Sequence, residues 1–62
     1  MTGTIYHKSL PDNEAVRVYH DGETWRVDHI TDIGEEIGVQ FHPTMRKAMT
    51  AAKHVSLHGK LP

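Results

Sequence analysis

Arginine, tyrosine and histidine are the side chains of this sequence with chemistry to offer. Arg17, Tyr19, Arg26 and Ile30 fall in phase along two short apolar segments, so an antiparallel sheet would set all four on one face. Arg and Tyr are enriched at binding hot spots, which makes this set a candidate partner-binding surface. Arg46, Lys47, Lys53, His54 and His58 form a second set, a candidate contact for nucleic-acid phosphates, other anions or an acidic protein surface. His54 and His58 stand at i and i+4, as zinc-binding pairs on a helix do. No further ligand stands at a motif spacing, so no metal site is expected. His29 alternates with apolar positions and reads as a partly buried, pH-sensitive histidine.

Catalytic signatures are missing. There is no Gly-rich phosphate loop, no nucleophile elbow and no cysteine, and Ser9 and Ser56 sit in no recognisable setting. The acids cluster in turns, where solvated carboxylates are usual. A non-enzymatic chain without a cofactor is expected.

The elements that must position these residues are few. A chain of 62 residues makes a single domain over 1–62. A domain of this size buries only about 60% of its unfolded surface, so its core is marginal. With no cysteine there is no disulfide to help, and self-association is the simplest reinforcement. No apolar run approaches the roughly 20 residues needed to span a bilayer, so no membrane role is expected. The N-terminus lacks a secretory h-region, so a cytoplasmic protein is expected. Lys8, Arg17 and Arg26 stand against eight acids before Pro43, whereas Arg46, Lys47, Lys53 and Lys60 follow it with no acid. This split describes a dipolar module, or an ordinary solvated surface.

The pattern predicts an α+β fold: a small antiparallel sheet of two to three strands with one C-terminal helix packed on one face. Strands are expected at about 16–20, 25–30 and 37–42, with a further edge strand available over Ile5–Leu10. Met1–Thr4 reads as a loose end, and Pro11-Asp12-Asn13 as a turn. Asp21-Gly22 is a hairpin signal. A two-residue turn there sets Val18 opposite Trp25 and Arg17 opposite Arg26. A four-residue loop keeps the same faces and sets Arg17 opposite Asp28. The first register places like charges together and implies an anionic partner; the second makes the pair structural. The next hairpin is expected to set Val27 opposite Val39 and Trp25 opposite Phe41, so that Val18, Trp25, Val27, Val39 and Phe41 share the core face. Thr44 is an N-cap candidate for a helix over about 44–57. Met45, Ala48, Met49, Ala52 and Val55 form its apolar stripe, and Gly59 is its stop.

Trp25-Arg26-Val27, then Phe41, Thr44, Ala48, Ala51 and Ala52, resemble the AP2-like N-terminal arm-type DNA-binding domain of tyrosine-type phage integrases. The likeness covers residues 24–56, about half the chain. It implies three strands and a helix, with DNA read by the sheet face through Arg17, Arg26 and Gln40. Two residues separate Phe41 from Thr44, where the family pattern has one. Eight acids before Pro43 would repel phosphate. The expected function is therefore a protein-interaction or regulatory module of phage or bacterial type, with a protein partner or a homodimer. The alternative is a small DNA-binding accessory protein.

Overall fold

The computed structural model describes residues 3–62. Met1 and Thr2, read as part of a loose end, lie outside the described residues. Thr4 already belongs to the first strand. Four strands, β1 (Thr4–Leu10), β2 (Glu14–His20), β3 (Trp25–Thr31) and β4 (Glu36–His42), pair antiparallel in chain order. One helix, α1 (Met45–His58), packs over β2, β3 and β4. The α+β class is as the sequence predicts, with Ile5–Leu10 taken up into a full fourth strand.

Local chemistry explains each connection. Asp12 and Asn13 take positive φ (65° and 59°) between β1 and β2, a conformation their short polar side chains tolerate. The β2–β3 connection is the four-residue loop. Asp21 N–H donates to the Thr24 carbonyl at 3.0 Å, and Asp21 Oδ1 accepts from the N–H groups of Glu23 (2.9 Å) and Thr24 (2.8 Å). Val18 is therefore opposite Val27, and Arg17 opposite Asp28. This register avoids the Arg17–Arg26 pairing of the two-residue turn.

Those backbone donors hold the Asp21 carboxyl below its ordinary pKa of 3.8, the Thr24 N–H contributing most. A lowered carboxyl pKa favours the folded state above the unfolded value, and the advantage is lost as pH falls through the folded value. Wild type should therefore be more stable than Asp21→Asn at neutral pH. The gap should shrink on acidification below 3.8. Thermal melts of both proteins across pH 2–7 check this, and a gap that widens in acid would contradict it.

The β3–β4 connection corrects the predicted core. Thr31 N–H donates to the Glu35 carbonyl at 2.8 Å, and Ile30 pairs with Glu36. This is the register the sequence suggests. The ladder then slips between His29 and Ile30, with Ile37 as the extra residue of a β-bulge. Beyond it, Val39 is opposite Asp28 and Phe41 opposite Arg26. One extra residue exchanges the two faces of a strand. Val39 and Phe41 thus leave the helix side, and Phe41 is 59% exposed. Gly38, Gln40 and His42 face the helix side instead. There the C-terminal tail covers them: a Cβ on Gly38 would lie 3.0 Å from Leu61 Cδ1. Gln40 Nε2 donates to the Pro62 carbonyl at 2.8 Å.

The core is built from small side chains. Val16, Val18 and Val27 meet Ala48, Ala51, Ala52 and Val55, with Tyr6, Leu10, Trp25, Met49 and Leu61 partly buried around them. Met45, expected in the apolar stripe, is exposed, whereas Ala51, outside that stripe, is buried. Thr44 Oγ1 accepts from Lys47 N–H at 3.2 Å, and Gly59, at φ 79°, closes the helix. His29 is buried as expected, its Nε2 2.6 Å from Glu14 Oε1. No helix among the described residues is long and apolar enough to cross a membrane.

Candidate functional site

The face of the sheet away from α1 carries three cross-strand rungs. Tyr19, Arg26 and Phe41 make the first, Arg17, Asp28 and Val39 the second, and Ala15, Ile30 and Glu36 the third. Alternation along β2 and β3 places these residues together. The Ile37 bulge adds Val39 and Phe41.

Asp28 organises this face. Its carboxylate is fully buried although no element packs over it. Asp28 Oδ2 accepts from Arg17 Nε at 2.9 Å, and Oδ1 from Arg26 Nε at 2.6 Å. Arg26 Nη2 reaches onward to Glu36 Oε1 at 2.7 Å. The guanidinium groups also lie against rings: Arg17 is 5.5 Å from the Tyr19 centroid, and Arg26 is 5.8 Å from Tyr19 and 5.7 Å from Phe41. Burial pushes the Tyr19 phenol above its usual pKa, and the Asp28 charge adds to this. Hydrogen bonding to Asp28 raises the Arg26 pKa. The result is a flat array of two arginines and two aromatic rings held in fixed positions. Its two cations are matched by the two anions Asp28 and Glu36.

The four residues predicted for this surface do share one face. Arg17, Tyr19 and Arg26 are available to a partner. Ile30, expected on this exposed surface, is only 7% exposed and forms part of the wall of a cavity of about 230 Å³ with His7, Ser9, Ala15 and Asp32. The β3–β4 turn bends over this end, where Asp32 N–H donates to the Asn13 carbonyl at 2.7 Å. Phe41, which simple alternation predicts in the core, stands on this surface instead. The available signal was Gly38, because a glycine inside a strand often marks a bulge or a close approach.

The basic helix set is not brought together. Arg46 and Lys47 occupy the first turn, where there is no acid, and line an open cleft of about 620 Å³ with His42, Thr44, Thr50 and Pro62. His54 and His58 lie at the far end, roughly 18 Å from Arg46 to His58 at 1.5 Å per residue. Their rings are 4.4 Å apart, and His54 Nδ1 is 2.8 Å from the Lys60 carbonyl. Lys53 is exposed to solvent. No group of three or more potential metal ligands is gathered among the described residues. Gln40, which the integrase resemblance would place on DNA, lies on the helix side bonded to Pro62.

Fold and surface together define a four-stranded antiparallel meander with one helix and one open, Arg- and aromatic-bearing sheet face. Comparison with protein-family models, curated proteins and solved structures finds no match.

Proposed function

We propose that this chain is a non-enzymatic protein-interaction module whose contact surface is the open sheet face around Arg17, Tyr19 and Arg26. The observation that carries this reading is the Asp28 network. It fixes two guanidinium groups against two rings before any partner arrives, so little side-chain freedom remains to be lost on binding. Arginine and tyrosine in such a setting have the composition of a hot spot. The internal charge balance of the face favours a protein surface over a polyanion, because Arg17 and Arg26 are already paired. This weighs against the DNA-binding reading drawn from the integrase resemblance.

The test compares three immobilised full-length baits in an extract of the native host: wild type, Tyr19→Ala and Lys53→Ala. Proteins retained by wild type should fall about tenfold or more with Tyr19→Ala, as for a hot-spot tyrosine. They should survive Lys53→Ala. Retention that survives Tyr19→Ala and is lost with Lys53→Ala would move the contact to the helix. Salt-sensitive retention of wild type on duplex DNA, abolished by Arg17→Ala, would favour the DNA-binding reading instead.

A further inference from the structure

From the free edge of the sheet, we infer that a second copy of this chain pairs antiparallel with β4, joining two sheets into one. This pairing takes up Phe41 at the rim of the open face and leaves Arg17 and Tyr19 uncovered.

The backbone defines the pairing. Thr31 directs its N–H to Glu35, so by antiparallel alternation Trp25, Val27 and His29 also turn their backbone groups toward β4. Their partners His42, Gln40 and Gly38 are thereby engaged. Val39 and Phe41 turn theirs outward. Among the described residues, no backbone hydrogen bond from another segment reaches them. An edge of this kind is a template for another strand unless something blunts it. The opposite edge, β1, carries His7 and Lys8 and is bulged at its start, between Thr4 and Tyr6. Within β4, Gly38–His42 is regular and holds no Lys, Arg or Pro.

The side chains select a second copy as occupant. A two-fold axis at Gln40 sets Val39 opposite the partner's Phe41, and Phe41 opposite the partner's Val39. These two positions exchange both backbone bonds, and an aromatic ring meets a β-branched side chain twice. Such an isologous contact closes on itself. Charge agrees with the same direction of pairing. Asp32, Glu35 and Glu36 cluster where β4 begins, and His42, Arg46 and Lys47 where it ends and the helix starts. Antiparallel pairing brings the acidic start of one copy alongside the basic end of the other. It also supplies anions to the helix's first turn, where Arg46 and Lys47 oppose the helix dipole without an acid.

The test is sedimentation equilibrium of the full chain from about 1 μM to 1 mM, a range set by weak to moderate affinities. Wild type should dimerise, less tightly at 1 M salt, where the Debye length is about 3 Å. Phe41→Lys should raise the dimer dissociation constant about tenfold or more by putting a charge on the edge. Val39→Pro should do the same, because it removes an N–H that the β3 ladder does not use. Both variants should keep the circular dichroism of wild type. Glu35→Lys should weaken the dimer, and adding Arg46→Glu should restore it. A wild type that is monomeric throughout would overturn the inference. So would a dimer indifferent to Phe41→Lys and Val39→Pro. Neither result would touch the Tyr19-dependent retention used to test the open face.

Discussion

Asp28→Ala should lower the stability of this domain by about 3 kcal/mol, the low end of the cost of breaking a buried ion pair. Asp28 has no solvent exposure and accepts from both Arg17 and Arg26. Without it, two guanidinium groups flank Tyr19 with only Glu36 left to balance them. The low end applies because the arginines can relax toward water: their side chains are 39% and 24% exposed. Denaturant melts measure the loss. The Tyr19 phenol should also ionise at lower pH in the variant, because the Asp28 charge helps hold its pKa up. A variant that melts within about 0.5 kcal/mol of wild type, the range of an ordinary surface change, would show that the network contributes nothing to the fold.

Trp25→Ala should cost about 3 kcal/mol, near the lower limit for removing a large aromatic side chain. Trp25 is half-buried on the helix side of β3, with its ring edge-on to His20 at 4.9 Å. The fully buried core side chains around it are only valines and alanines. Tryptophan is therefore the largest apolar side chain packed against this core. For a domain whose total stability is about 5 kcal/mol, the loss is more than half. Phe41→Ala makes the contrast. Measured where the chain is monomeric, it should cost no more than about 1 kcal/mol, the value of its contact with Arg26. Equal effects at the two positions would contradict the face assignment of β4.

Periodicity carried most of the fold. Val16 and Val18 alternate with Arg17 and Tyr19, and Trp25 and Val27 with Arg26 and Asp28, so the faces of β2 and β3 were legible with either the two-residue or the four-residue turn. Thr44 and Gly59 mark the helix ends by their own capping chemistry. The candidate surface was legible to the same extent: Arg17, Tyr19 and Arg26 lie where alternation sets them. The turn length was not legible. An Asp-Gly pair suits a two-residue turn, whereas here Asp21 spends its carboxylate on the N–H groups of Glu23 and Thr24.

The sequence by itself determined what is local: strand alternation in β2 and β3, the capped helix and the charge split at Pro43. Only the tertiary structure decided which side of β4 faces the core. Ile37, Val39 and Phe41 are the more apolar alternate set, so hydrophobicity alone turns them inward. The bulge at Ile37 reverses that choice, and with it Leu61 packs on Gly38 while Pro62 accepts a hydrogen bond from Gln40. A face assignment depends on the parity of a single residue, and here that parity accompanies contacts from more than twenty residues away. The same reversal placed Phe41 beside Arg26 and completed the open face.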